Sequence, residues 1–198
     1  MERTMTLPVE REEAGDISPS ALIRGSGLLA MIAGVSMVLS PVLHPHSTQS
    51  AAWVPVHLAY FATLIAVMLV LVAIFVRQMR RAGRLGVVGF ITAFVGTAMM
   101  LMEGREHIFS PDFGTGTPLG LWELILASFV FSVGYILTGI ATARARVLPR
   151  GVGILLAVSG PVAAFSPPIG IAAVMIVSHT VFGVGLAWAG YALWSERS

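Results

Sequence analysis

The sequence contains no cysteine and no lysine, and it is poor in charged residues. Without cysteine the chain has no disulfide, no thiolate metal ligand and no cysteine nucleophile. Without lysine it has no Schiff-base chemistry and no lysine base, since all 12 basic residues are arginines. Only 11% of the 198 residues are charged, whereas a soluble domain has about 25%. So few charges cannot cover a water-facing surface, which excludes an ordinary soluble protein.

The chain has long apolar runs instead, and 56% of its residues are hydrophobic. A helix needs about 20 apolar residues to cross a hydrocarbon core about 30 Å thick. The runs predict an all-α, polytopic membrane protein of six transmembrane helices arranged as three helical hairpins. The predicted spans are about 21–43, 53–76, 85–103, 119–143, 151–167 and 170–194.

Residues 1–20 form a polar segment ahead of the first predicted span. They hold two arginines against five acidic residues, a net charge of −3. This composition predicts a mobile acidic cytoplasmic tail. The segment lacks the basic start and the small-residue cleavage site of a signal peptide, so the first span is expected to stay in place as an anchor.

The arginines predict the orientation of the spans. Four arginines follow the second span and three arginines follow the fourth span, on the same side of the membrane, whereas the opposite side has only Arg105. The seven are Arg77, Arg80, Arg81, Arg84, Arg144, Arg146 and Arg150. Short arginine-rich loops stay in the cytoplasm. Both termini are therefore predicted to be cytoplasmic, in the inner membrane of a bacterium. The arginines form no basic and aromatic stripe, so nucleic acid is not a predicted partner.

Glycines recur at a fixed interval in the odd spans. Segments 24–27 and 150–153 are alike, and each is followed by a further glycine seven residues on, at Gly34 and Gly160. The third span has the same interval between Gly89 and Gly96. One interpretation is a repeat of three two-helix hairpins, and the other is a chance match in glycine-rich sequence. Either way, small residues at helical spacing let neighbouring helices approach closely.

Each even span carries one ionisable residue within its apolar stretch, and these are His57, Glu123 and His179. The next arginine follows 20, 21 and 18 residues later, at Arg77, Arg144 and Arg197. At a rise of about 1.5 Å per residue, all three lie in the outer half of the membrane, near one level. Ionisable groups in hydrocarbon usually face the bundle interior and serve a function.

The ends of the odd spans add further candidates near that level. The predicted metal site is a convergent cluster of His44, His57, Glu103, His107, Glu123 and His179. Imidazoles with carboxylates suit zinc, iron or manganese, and two facing histidines could instead hold haem iron. The predicted cofactor is therefore a transition-metal ion or haem.

A plainer interpretation stands beside the metal site. His57 and Glu123 lie in the first turns of their helices, where they can reach lipid headgroups and where the helix dipole favours a carboxylate. His179 is too deep for that, so it needs a hydrogen-bond partner. The candidates are Ser128, Tyr60 and Tyr135.

Motif searches leave the choice of function open. There is no phosphate-binding loop, no His-Glu-x-x-His helix and no Gly-x-Ser-x-Gly elbow. The first hypothesis is a protein that binds a metal ion or haem in the outer leaflet. The alternatives are a non-catalytic accessory subunit of a membrane complex and a carrier for a small molecule or ion, and a lipid-modifying enzyme has the least support. The expected partners are the lipid bilayer and either other membrane proteins or a second copy of the chain.

Overall fold

The computed structural model describes residues 19–44, 50–109, 118–169 and 171–195. Within these ranges the chain forms five α-helices and no strand, so the described part is all-α, as predicted. The helices are α1 (Pro19–Leu43), α2 (Trp53–Phe109), α3 (Pro118–Ala145), α4 (Arg150–Ile169) and α5 (Ala172–Ser195). Residues 1–18 of the predicted acidic tail lie outside the described residues, as do residues 45–49 and 110–117 between the predicted spans.

The longest helix, α2, is broken at one residue. Gly83 has φ 58° and ψ −157°, a region that is essentially open to glycine alone. The Phe75 and Phe90 rings stack across this break, with their centroids 4.5 Å apart. In a continuous helix, residues 15 positions apart are separated by about 22 Å. The chain therefore reverses at Gly83, which divides α2 into a first arm, 53–82, and a second arm, 84–109.

The six predicted spans are found only in part. In the described residues, four helical stretches are long and apolar enough to cross a membrane, and α4 contributes a shorter apolar stretch, Arg150–Ser166. The four stretches are Ala21–Leu43, Trp53–Gly104, Gly120–Ala145 and Ala172–Ser195. The predicted second and third spans both fall within α2, so the described part of the chain has five helices where six were expected. The reason is that a single glycine separates the two arms, in place of the predicted arginine-rich loop.

The helices form a closed ring in chain order. Each packs against the next, and α5 packs along α1 to close the ring. Neighbours run antiparallel. For example, Ser36 of α1 bonds Thr63 of the first arm (2.6 Å), and Gly134 of α3 lies against Ala93 of the second arm.

This arrangement defines two ends of the bundle. The start of α1, the reversal at Gly83, the α3–α4 connection and the end of α5 lie at one end, which we call the arginine end. The connection between α1 and α2 lies at the opposite end, which we call the histidine end.

Glycines bring α1 and α5 into backbone contact. A Cβ atom added to Gly34 would lie 2.5 Å from the Gly183 carbonyl oxygen, and one added to Gly183 would lie 2.5 Å from the Gly34 oxygen. Gly27 and Gly190 repeat this reciprocal contact at 2.6 and 2.5 Å. Real Cβ atoms do not approach so closely, so both positions must be glycine for the helices to meet. The seven-residue interval places each pair of glycines on one face, two turns apart.

The first arm of α2 supplies much of the core. Leu64, Val67, Leu71 and Ile74 are at most 2% exposed, and their spacing of three or four residues places them on one face. The outward faces of the helices are apolar as well, with exposed residues such as Leu28, Leu69 and Val158. An apolar exterior on helices of this length is suited to contact with lipid. The chain is therefore a multi-pass helical membrane protein.

Candidate metal centre

Three ring side chains meet at the histidine end. The His44 and His57 ring centroids are 5.1 Å apart, and Trp53 contacts both, at 5.8 Å from His44 and 4.1 Å from His57. His44 follows the last residue of α1 and is exposed, whereas Trp53 and His57 occupy the first two turns of α2 and are buried. The end of one helix and the start of the next therefore place two imidazoles in contact.

The hydrogen bond of His57 fixes its tautomer. Its Nδ1 lies 2.8 Å from the carbonyl oxygen of Trp53, and a carbonyl oxygen can only accept. Nδ1 therefore carries a proton and donates it. Most metal-binding histidines are held in this way, with one ring nitrogen bonded to a carbonyl or carboxylate and the other facing the ion. Only 6% of the His57 surface is exposed.

His179 makes the same type of hydrogen bond as His57, deeper in the bundle. Its Nδ1 donates to the carbonyl oxygen of Met175 at 2.9 Å, and the Ser178 hydroxyl donates to the same oxygen at 3.1 Å. His179 is also 6% exposed, and its Nε2 has no hydrogen-bond partner among the described residues. The backbone of its own helix thus holds the His179 ring in place through Nδ1.

A small cavity of about 30 Å³ lies beside His179. Its lining includes Met37, Tyr60, Met100 and Phe131. This volume is enough for a single water molecule, which needs roughly 10–15 Å³. The cavity thus has room for a water beside His179 and Tyr60, but it has no room for a haem or an organic substrate.

The hydrogen-bond partners expected for His179 have other contacts. The Ser128 hydroxyl donates to the Ala164 carbonyl at 2.8 Å, and the Tyr135 hydroxyl lies 3.4 Å from the Thr97 hydroxyl. Tyr60 shares the cavity with His179 without a hydrogen bond to it in the structure. The backbone of its own helix thus satisfies one nitrogen of His179, which leaves the other directed to the bundle interior.

The predicted acidic residues occupy different environments. Glu103 is buried in the second arm at 9% exposure, whereas the Glu123 side chain is exposed near the start of α3. Glu123 lies eight residues before Phe131, which lines the His179 cavity, so it is about 12 Å further out along the helix. The structure therefore does not bring Glu123 into the interior with the histidines. Its exposure fits the alternative interpretation, in which it reaches the headgroups.

The six predicted residues do not form one cluster in the described structure. His44 and His57 are brought together, and His179 lies about a turn deeper, at the level of Tyr60. His107 lies in the last turn of α2, but its side chain is outside the described residues. Among the side chains that are described, no three histidine, aspartate or glutamate residues are grouped so as to hold a metal ion.

Sequence reasoning missed the buried side-chain amide of Gln78. It is 2% exposed, and its Nε2 donates to the Thr142 hydroxyl at 2.9 Å. The arginines on either side of Gln78 had placed it in a predicted loop. The signal that could have found it is the buried stripe of the first arm, since Gln78 is four residues after Ile74.

No protein-family model matches this chain, and neither a curated protein nor a solved structure matches it.

Proposed function

We propose that the chain crosses the membrane six times, as three hairpins, with each arm of α2 making one crossing. The reversal at Gly83 supports this, because a continuous helix of 57 residues would be about 85 Å long, far more than a bilayer core. The arginines described at this reversal and between α3 and α4 favour a cytoplasmic arginine end. Both termini would then be cytoplasmic, in a bacterial inner membrane.

We propose further that the histidine end binds a transition-metal ion through His44 and His57. The contact between their rings carries the proposal. Nitrogen ligands lie about 2.0–2.1 Å from zinc, so each ring centre lies about 3.2 Å from the ion. Two such rings at a tetrahedral angle have centres about 5 Å apart, and the His44 and His57 centroids are 5.1 Å apart. The imidazoles are thus already spaced as two ligands of one ion.

The remaining ligands are proposed to come from the end of the second arm. Phe75 and Phe90 lie at one level, and His57 is 18 residues before Phe75 (75 − 57 = 18). Counting 18 residues on from Phe90 reaches residue 108 (90 + 18 = 108), so His107 is level with His57 along the hairpin. Glu103 lies one turn deeper on the same arm. A set of imidazoles with a carboxylate suits zinc, iron or manganese.

The spacing of the two rings favours an ion over haem. Axial ligands of a haem lie on opposite faces of the macrocycle, with ring centres about 6 Å apart and the porphyrin between them. Rings in edge contact, as His44 and His57 are, leave no space for a flat macrocycle. The metal-ion form of the hypothesis is therefore the one that we retain.

The proposal is tested with the full-length protein, purified in mild detergent and titrated with Co²⁺, which reports coordination by its visible spectrum. We expect one ion per chain, and we expect His57→Ala to weaken binding by about tenfold or more, as losses in a metal site do. His179→Ala is a matched control, because His179 has the same burial and the same type of Nδ1 hydrogen bond. Loss of binding in His179→Ala but not in His57→Ala would contradict the proposal, as would the absence of any bound ion.

A further inference from the structure

A cleft of about 590 Å³ opens at the arginine end of the bundle. The start of α1, the first arm of α2 and the α3–α4 connection form its walls. Four arginines line it, together with apolar residues such as Ile23 and Val76. The arginines are Arg77, Arg80, Arg81 and Arg146. Residues that are far apart in sequence thus bring four arginines to the lining of one cleft.

The two glutamates whose side chains the structure describes, Glu103 and Glu123, lie far from this cleft. Glu103 is 20 residues beyond Gly83 (103 − 83 = 20), about 30 Å along the second arm. Glu123 is 22 residues before Ala145 (145 − 123 = 22), about 33 Å along α3. The screening length at physiological salt is only about 8 Å. These two glutamates therefore lie well beyond the reach of Arg80, Arg81 and Arg146.

Arg146 reaches the cleft from an unfavourable backbone conformation. Its φ is 53°, and among the described residues it is the one non-glycine residue with a positive φ. It directly follows the last residue of α3, a position where glycine is the usual choice. Keeping a bulky residue there costs about 1–2 kcal/mol. Residues held at such a cost concentrate at functional sites, and this one lines the cleft.

Arg146 also borders a second space. A groove of about 530 Å³ runs between α3 and α4, with Arg144 and Arg150 also in its lining. Small residues such as Gly139 and Ala157 form its apolar floor. A basic cleft and an apolar groove that share one arginine match the two parts of a phospholipid, a charged headgroup and an acyl chain.

We propose that the cleft binds a phosphate ester through Arg80, Arg81 and Arg146. Guanidinium groups pair with phosphate oxygens by two parallel hydrogen bonds, with a geometry that lysine lacks. Basic pockets between transmembrane helices on the cytoplasmic side bind anionic headgroups in this manner. The ester is either a lipid headgroup of the inner leaflet or a soluble phosphate compound. This site is independent of the proposed metal centre, which lies at the opposite end of the bundle.

The test measures binding to the full-length protein in zwitterionic phosphatidylcholine nanodiscs. The probes are short-chain phosphatidylglycerol, glycerol 3-phosphate and inorganic phosphate, each followed by titration calorimetry. Binding of phosphatidylglycerol alone identifies a lipid headgroup as the ligand, and comparable binding of glycerol 3-phosphate identifies a soluble ester. No binding of any probe overturns the proposal.

The variants distinguish a specific binding site from general electrostatic attraction of the anionic probe to the basic surface. Hydrogen bonds to charged groups are strong enough that Arg146→Gln or Arg80→Gln should weaken binding about 10- to 100-fold. Arg84→Gln is the matched control, since Arg84 lies at the same end but lines neither space, and general attraction accounts for about fivefold at most. Equal losses in Arg84→Gln and in the other two variants would overturn the proposal. Arg80 lies within a helix, so its variant keeps the test valid if Arg146→Gln fails to fold.

Discussion

At the scale of single residues, the outcome of the sequence analysis depends on which face of a helix a side chain occupies. The sequence found His57, Glu123 and His179 as the lone ionisable residues of their spans, and the structure buries the two histidines but exposes the glutamate. In water, the hydrophobic periodicity of a helix identifies its inward face. In a membrane both faces are apolar, so the depth of Glu123 could be counted but its direction could not.

Gly83 shows a second limit of residue-level reasoning. The arginines around it predicted a loop over 77–84, yet the first arm stays helical up to Ala82. Arginine, glutamine and methionine are good helix formers, so the segment does not need a loop. The sequence therefore predicted that the chain reverses in this region, but not that one glycine performs the reversal.

We predict that Gly83→Ala destabilises the protein. The φ and ψ of Gly83, 58° and −157°, are strained for any residue with a Cβ atom, and such strain costs about 1–3 kcal/mol. Since an added Cβ would have no atom within 4 Å, backbone strain alone determines the effect. Thermal unfolding in detergent measures it.

Gly25→Ala is the control for this variant, because Gly25 is helical and also has open space around it. Alanine should leave stability unchanged there or raise it, by up to about 1 kcal/mol. If Gly83→Ala were as stable as Gly25→Ala, the chain reversal would not depend on the conformation of glycine.

At the scale of helices, the glycine intervals were the most informative part of the sequence. Small residues at helical spacing were expected to allow close packing, and the structure places Gly34 and Gly89 at helix contacts. The sequence could not identify which helix each of them meets. Gly27 and Gly34 contact α5, which lies about 150 residues further along the chain. Helix pairing in lipid depends on the shapes of the two surfaces, and no sequence pattern identifies which two helices pair.

We predict that Gly34→Ala weakens the contact between α1 and α5. Its new methyl group would lie 2.5 Å from the Gly183 oxygen, so the two backbones would have to separate. Forcing extra atoms into a packed contact costs about 1–3 kcal/mol, which thermal unfolding in detergent should show. Gly25→Ala, in the same helix, again serves as the reference, and an equal melting temperature for the two variants would mean that α1 and α5 are not in backbone contact.

At the scale of the whole molecule, composition and apolar run length predicted a helical multi-pass membrane protein, which the structure confirms. The number of helices was predicted less well. Two segments that could each cross the membrane are joined at Gly83 without a loop, so they count as one helix. The order of the helices in the ring could not be predicted, since no local sequence pattern indicates that the first and last helices are neighbours.

The absence of cysteine makes the proposed topology directly testable, because the natural chain gives no background with thiol reagents. We predict that a membrane-impermeant maleimide labels Ala51→Cys in intact cells. Arg84→Cys and Pro149→Cys should be labelled only after the membrane is opened. All three positions are exposed in the structure. Labelling of positions 51 and 84 from the same side would contradict the proposal that the first arm crosses the membrane.

The packing of α5 against α1 has a consequence for biosynthesis. Gly34 and Gly183 are 149 residues apart (183 − 34 = 149), which takes roughly 7–30 s to synthesise at about 5–20 residues per second. During that interval the glycine face of α1 has entered the membrane while its partner does not yet exist. The glycine face of α1 therefore stays without its α5 partner until the last helix has been synthesised.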